Sequence, residues 1–505
     1  MMVVAEFSLD GWDYHVVTVF RRGRAPMVSV ADAETLRPAL NDFLDSFADC
    51  IKTFPSKGHF DTYVSGQIGP LERKTVEGIA LEAGESPRTL QQFLGMYKWN
   101  EDSLAERLRR RVRDRHSDDG GIFVVDETGC PKTGDGTVGV QHQYCGRSGK
   151  VDNCVVTVGL GYVSEDFYCL LDTELFLPED TWGTDKELRR QAGIPDDVQY
   201  RPKWVIACEL VERSKADGVK AGWLTGDALY GRCAEFRNRV AAAGVKYVVE
   251  IPTGLFGWTK CPKVEPEGTV LKSGKTLKNA RVSPGEKSAR RVDKLWERGG
   301  PTRAHFRVKD TTKGPQIWEA RWTRFYAREN DVPGPELLLI IARNVITREI
   351  KYFLSNVIDD TALGTLLYVA FTRWHIEKTF RESKGRVGFD HFEVRSYLAV
   401  KRHLILSAVS LLFLVEQSQR LKKMEPMWTV PQVTMAIEAQ LDDKLSRAER
   451  KRQLEKIVYK INYYQRRYAV ASDCHDETQR RKLHDEGIDL RCVPRCSPPW
   501  EKVAA

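Results

Sequence analysis

The sequence predicts an α/β fold, a mixed sheet flanked by helices, from three observations. Between residues 122 and 251, short apolar runs bounded by Gly, Asp or Pro alternate with amphipathic stretches, as strands and helices do when they form layers. A basic block from Leu255 to Pro335 interrupts that alternation with short strand-like runs. The flanking segments carry helical signals. With 505 residues the chain exceeds the roughly 250 to 300 at which a single core stops growing. Five regions are therefore expected: mostly helical 1–118, a core at 119–254, a β-rich insertion at 255–335, the remaining core at 336–420, and a basic helical region at 421–505.

In the first region a stretch of mixed character precedes Val76 to Ala83, a Gly-Glu-Ser-Pro break at Gly84 to Pro87, and Arg88 to Tyr97. Helix, tight turn, helix suits a DNA-reading hairpin and an ordinary helical hairpin equally. Leu104 to Arg115, rich in arginine, is expected to be a solvated or DNA-facing helix that Asp118 to Gly121 break. Ile122 to Val125, Cys154 to Tyr162 and Tyr168 to Leu175 read as three strands. Helix Trp204 to Ala216, strand Ala221 to Thr225, helix Ala234 to Ala243 and strand Tyr247 to Ile251 follow. Ala304 to Lys309 and Ile317 to Tyr326 are strand candidates in the basic block, and Leu337 to Ala342 returns to buried-strand character. Ala362 to Lys384 reads as one long helix, and His403 to Leu414 as a nearly all-apolar one packed across the sheet, too short to span a membrane.

Charge is unevenly spread. Eighteen Lys and Arg against nine Asp and Glu in Leu255 to Pro335 give an excess of nine, more than the whole chain's +8, so the remainder is slightly acidic. Lys444 to Arg467, ending in Arg466 and Arg467, has nine basic residues against two acidic ones, interleaved with Tyr459, Tyr463 and Tyr464. Two basic surfaces suggest a polyanion, and the aromatic neighbours favour nucleic acid. The eleven cysteines are scattered singly, so reduced thiols are expected. Cys492 and Cys496, near Cys474, His475 and His484, have a three-residue gap containing Pro that fits no strong zinc pattern. The opening Met-Met-Val-Val-Ala-Glu-Phe lacks a secretory signal, and no apolar run approaches the roughly 20 residues of a membrane span, so a cytoplasmic location without membrane association is expected.

Three carboxylates stand in suggestive settings. Asp126 ends Ile-Phe-Val-Val-Asp and Asp227 ends Gly-Trp-Leu-Thr-Gly-Asp, both expected where a buried strand emerges into a loop. There open α/β sheets place ligands, although Asp at a strand end is also ordinary turn chemistry. Glu377 lies in Arg-Trp-His-Ile-Glu-Lys-Thr-Phe-Arg-Glu-Ser-Lys. On a helix, Arg373, Glu377, Arg381 and Lys384 would share one charged stripe beside a core side of Leu367, Phe371 and Trp374, as a solvated salt-bridge ladder also would. Taken together, the three acids suit phosphodiester transfer, which uses two Mg²⁺ ions roughly 3.5 to 4 Å apart held by oxygen ligands.

These residues resemble the DDE transposases of bacterial insertion sequences. The likeness rests on Val-Val-Asp-Glu-Thr-Gly-Cys-Pro-Lys (124–132), Gln-Tyr-Cys-Gly-Arg-Ser-Gly-Lys-Val-Asp-Asn-Cys (143–154), Thr-Gly-Asp-Ala-Leu-Tyr-Gly (225–231) and the helix around Glu377. The resemblance implies an RNase H-like catalytic core and a metal site of Asp126, Asp227 and Glu377 with two Mg²⁺, for which Mn²⁺ can substitute. It further implies double-stranded DNA substrates, namely terminal inverted repeats and target DNA, and a homodimer on DNA. A basic β insertion before the last acid is similar to that of the hairpin-forming subgroup with a Tyr, Arg, Glu, Lys signature. Arg373, Glu377 and Lys384 reproduce its spacing, while Ala370 stands where Tyr is expected and Tyr368 is nearby. In such a mechanism Trp296 is the candidate to stack on a flipped base; Trp318 and Trp322, four apart in an expected strand, read as core. Arg373, Arg381, Lys384, Arg466 and Arg467 are candidate DNA contacts.

Two other readings share these features: a silent DNA-binding protein and a metal-dependent nuclease that does not rejoin ends. Recombinases with covalent tyrosine or serine intermediates need no acidic triad, and Tyr463, Tyr464 and Tyr468 fit DNA contact or packing better than nucleophilic attack.

Overall fold

The structure, a computed structural model, describes residues 27–51, 53–146, 148–271, 273–296, 303–359, 361–423, 428–442 and 444–501. The opening stretch of mixed character, residues 1–26, lies outside the described residues.

Helices come first: α1 (Val30–Glu34), α2 (Leu36–Asp45), α3 (Phe54–Ile68), α4 (Val76–Glu82), α5 (Pro87–Gly95) and α6 (Glu101–His116). The expected helix, turn, helix is α4 and α5, joined through Gly84 at φ +69°, with Pro87 opening α5 where its missing N–H costs nothing. Helix α6 is neither solvated nor DNA-facing on its inner side. Leu104, Leu108 and Val112 are buried, Arg109 bonds Asp172 at 2.7 Å and Asp217 at 2.5 Å, and Arg111 grips Glu416 at 2.7 and 2.8 Å. Two of its six arginines thus act as bolts, Arg109 to the sheet through Asp172 and Arg111 to Glu416 in the later helical part of the chain.

The core begins with β1 (Ile122–Pro131), β2 (Val140–Cys145), β3 (Lys150–Ser164) and β4 (Phe167–Leu175). After α7 (Lys186–Ala192) and α8 (Lys203–Ala216) come β5 (Trp223–Gly226), α9 (Ala228–Gly231), α10 (Ala234–Ala242) and β6 (Lys246–Glu250). Strands β4, β3, β1, β5 and β6 are neighbours in that order, antiparallel across β4, β3 and β1 and parallel across β1, β5 and β6. This mixed sheet flanked by helices is the predicted α/β fold, consistent with an RNase H-like core. Strand β2 escaped the sequence reading because Val-Gln-His-Gln-Tyr-Cys is a half-exposed edge strand with polar outward positions.

The basic block supplies β7 (Phe256–Trp258), β8 (Val264–Glu265), β9 (Arg281–Val282), β10 (Arg290–Arg291), β11 (Arg303–Thr311) and β12 (Gly314–Glu329), with β13 (Val332–Asn344) and β14 (Ile350–Ser355) following. Strands β8 and β9 pair with each other. The others extend the core sheet, because β14 pairs antiparallel with β6, β13 with β14, and β12 with β13. The sheet therefore runs unbroken across residues 254 and 335, where composition changes.

Helices α11 (Leu363–Phe371), α12 (Trp374–Val387), α13 (Tyr397–Lys422), α14 (Val430–Leu441) and α15 (Arg447–Asp485) complete the chain. The long helix expected over 362–384 is two. At Thr372 and Arg373 the turn tightens to three-residue bonds, His375 N–H to the Thr372 carbonyl at 3.0 Å and Ile376 N–H to that of Arg373 at 3.1 Å. Consequently the buried side of α12 is Ile376, Thr379, Phe380, Ser383 and Val387, while Trp374 is only half buried. Helix α13 is longer than expected, 26 residues, and by length and composition could cross a membrane; 89% of its most apolar window is buried inside the protein.

Arg109 and Asp172 are 5% and 2% exposed, so removing the guanidinium leaves buried carboxylate charge with a partner missing. Arg109→Ala is expected to lower unfolding stability by about 3 kcal/mol, read from the urea midpoint of the full chain.

Candidate active site

Two neighbouring strands deliver the aspartates side by side. The last parallel pair of β1 and β5 is Val125 with Gly226, and Asp126 and Asp227 come next in each chain segment. Asp126 is not at a strand end, as the sequence suggested. Strand β3 continues alongside, pairing Asp126 with Gly159 and carrying β1 on to Pro131, so only its β5 edge is released. Asp227 does leave its strand: it caps α9, its carboxylate accepting the Leu229 N–H at 2.9 Å.

The third acid arrives from above the sheet. A side chain at Gly159 would meet the Phe380 ring at 2.7 Å, and one at Gly161 the Ile376 methyl at 2.9 Å, so these glycines let α12 settle closely over β3. That seats Glu377, on the first turn of α12, beside β1. Gly231 plays a similar part below: a Cβ there would lie 1.9 Å from the Glu250 carbonyl oxygen, so the end of α9 presses directly on the end of β6.

Arg373, at the helix break, connects the acids. Its guanidinium lies 2.7 Å from Glu377, 3.5 Å from Asp126 and 3.6 Å from Glu250. Burial works against its charge, but Glu377, Asp126 and Glu250 more than offset this and hold it firmly protonated. Other bases ring the site: Lys351 approaches Glu250 at 3.4 Å, and Lys203 binds Glu127 at 3.0 Å, where Tyr230 also donates at 3.2 Å. Lys384 donates to the Gly129 carbonyl at 2.7 Å, tying α12 to β1, while Arg381 is exposed.

Glu127, Glu250, Lys203 and Lys351 were not singled out in the sequence. Glu127 follows Asp126 directly, and Glu250 lies near the end of an expected strand as the two aspartates do; that shared position was the available signal. Other candidates lie elsewhere. Arg466 and Arg467 are exposed on α15, and Tyr368 packs edge-on against Trp500, 5.6 Å between centroids. Trp296 is 9% exposed, with the guanidiniums of Arg321 and Arg343 at 4.2 Å and 4.9 Å from its ring centre. The loop expected beside it falls at 297–302, outside the described residues. Trp318 is buried against Phe371 and Trp322 half buried on the same core.

The electrostatics favour an added cation. Burial, and then the Asp227 carboxylate, push Asp126 up to about 8, while burial and Glu127 raise Asp227. Arg373 lowers both acids but burial outweighs it, so further positive charge would favour their ionisation, and the donors are carboxylate oxygens, which suit a hard divalent ion. Among the described residues no three acids, histidines or cysteines already converge around one point; Glu377, 55% exposed, leans on Arg373.

The chain belongs to the DDE superfamily endonucleases: the profile of that family matches residues 46–315, more than half of the sequence. That span includes Asp126 and Asp227 and ends before Glu377. Members of this superfamily depend on a divalent metal ion. Over 219 residues the chain is also 29% identical to a probable transposase for insertion sequence element IS701 from Microchaete diplosiphon. That match covers 41% of this chain and 53% of the relative, so the chain spans about half the length of the curated relative it matches.

A raised Asp126 has a measurable consequence. The folded chain holds a proton that the unfolded chain loses near pH 4, so without metal this group's contribution to stability is greatest below that pH and declines as pH rises towards about 8. Asp126→Asn should flatten this decline. Thermal unfolding of both proteins from pH 4.5 to 8.5 in chelator is the check, and parallel curves would show that Asp126 ionises normally.

Proposed function

We propose that this protein is a transposase that cuts DNA at transposon ends and joins them to target DNA. The observation that carries the reading is the meeting of Asp126 and Glu377 on one guanidinium, Arg373, beside Asp227 at the released edge of β1. Asp126, Asp227 and Glu377 would hold two Mg²⁺ ions, with Mn²⁺ able to replace them. When bound, the ions would activate the attacking oxygen, of water in cleavage and of a DNA 3′-hydroxyl in joining, and stabilise the leaving one. The residues themselves arrange the DNA. With Glu377 serving a cation, Arg373 would keep Asp126 and Glu250 as partners and offer its remaining N–H groups to a phosphate oxygen. Lys384 and Arg381, along the same helix, extend the cationic path, and Lys384 also holds β1 through Gly129.

The basic strands beyond β6 place further guanidiniums on the same sheet as the acids, in keeping with a hairpin route. Trp296 would serve as a base platform there only after Arg321 or Arg343 moves off its ring. Two ends must be processed together, so a homodimer on DNA is part of this proposal.

Asp126→Ala, Asp227→Ala and Glu377→Ala should each reduce Mg²⁺-dependent cleavage of end-containing DNA to background while mobility shifts stay near wild type. Joined products from paired ends identify a transposase, cut products alone a nuclease, and neither product a silent binding protein. Substantial cleavage by any one variant removes that residue from the triad.

Arg373→Ala and Lys384→Ala should slow processing by about 10- to 100-fold, the equivalent of one charge-assisted hydrogen bond. Wild-type rates and salt dependence in both would reduce the pair to a surface ion ladder.

A further inference from the structure

Helix α15 runs for 39 residues, about 58 Å, and is anchored at both ends. Near its start it packs on α14 and α1, and the Asn462 amide bonds both the N–H and the carbonyl of Val28 at 2.9 Å. At its far end Leu483 packs with Ile317 and Val345 on the extended sheet, and Gln479 reaches the Pro315 carbonyl at 3.4 Å. The rod is therefore held in place relative to the body that carries the acids.

Its inner edge is Leu454, Val458, Ile461 and Gln465, spaced by four, three and four residues. Half a turn away, Arg452, Lys456, Tyr459, Lys460, Tyr463 and Arg467 are all exposed. Tyr459 is 72% and Tyr463 45% exposed, and the Arg467 guanidinium lies 5.9 Å from the Tyr463 ring. From Arg450 to Ser472 the sequence has seven basic residues and one acid, Glu455. Of the fifteen large apolar or aromatic side chains most exposed among the described residues, five fall between Tyr459 and Val470. Solvation alone explains the charges but not the uncovered tyrosines beside them.

We propose that this outer stripe of α15 docks on double-stranded DNA, holding phosphates with its basic residues and a groove wall with Tyr459 and Tyr463. The proposal rests on the transposase reading only for the identity of the polyanion. The exposed run from Arg452 to Arg467 is about 22 Å long, less than the roughly 34 Å of one DNA turn, and a helix fits the roughly 12 Å major groove. Direct phosphate contacts each steepen the salt dependence of binding by about 0.9 in a double-logarithmic plot.

The test is binding of the full chain to duplex DNA in chelator, where cleavage cannot occur, across a salt series. Lys456→Ala, Lys460→Ala and Arg467→Ala together should make the slope shallower by about 2 to 3. Tyr459→Ala with Tyr463→Ala should weaken binding several-fold and leave the slope unchanged. These side chains are exposed, and equal unfolding midpoints would confirm intact folds. An unchanged affinity and slope overturns the proposal. So does a loss confined to single strands, or a changed sedimentation mass with unchanged DNA binding, which would mark the stripe as a contact between copies. In a parallel Mg²⁺ assay, wild-type protein that binds with the expected slope but never cuts would sink the transposase reading alone; variants that bind like wild type in chelator would sink this one alone.

Discussion

The arrangement of this protein turns on one guanidinium at a break between two helices. Arg373 reaches acids from β1, β6 and α12 at the point where the chain tightens to three-residue hydrogen bonds. Burying like charges is unfavourable unless a counter-charge accompanies them, and Arg373 supplies one beside Asp126.

Close packing makes that arrangement possible. Glycines at 159 and 161 remove the side chains that would lift α12 from β3, and Gly231 allows α9 to press on the end of β6. The helical region is tied to the same frame. Arg402 of α13 donates to the carbonyls of Phe93, Leu94 and Tyr97 at 3.0 to 3.3 Å, taking up groups that the end of α5 leaves unpaired, and stacks on Trp99 at 4.2 Å. Tyr63 of α3 bonds His403 at 2.9 Å, with Gln67, Ser407 and Ser410 completing a buried network. Helix, turn, helix is thus docked through its C-terminal end.

Much of this was legible beforehand. The apolar periods located most core strands and helices, and Asp126, Asp227 and Glu377 stood out because each acid follows or interrupts an apolar pattern. The misses have separate causes. Strand β2 is an edge strand, and β14, Ile-Lys-Tyr-Phe-Leu-Ser, is a six-residue run whose partners β6 and β13 come earlier in the chain. The break at Thr372 is made by local hydrogen bonds with no Gly or Pro to announce it.

The sequence by itself determined the α/β class, the three acids, the basic helix that presents Glu377 and the two basic segments, because periodicity and charge are local properties of the chain. Tertiary structure decided which charges meet. Arg109 and Arg111 looked like a solvated surface and proved to be buried bolts, and Trp296 looked loop-borne and lies under two guanidiniums. Glu250 entered the site only when β14 paired with β6 and brought Lys351 to it, and when Arg373 reached it from the start of α12. A charge on a sequence has no partner until the fold sets its distance and burial, and those two quantities govern what the charge does.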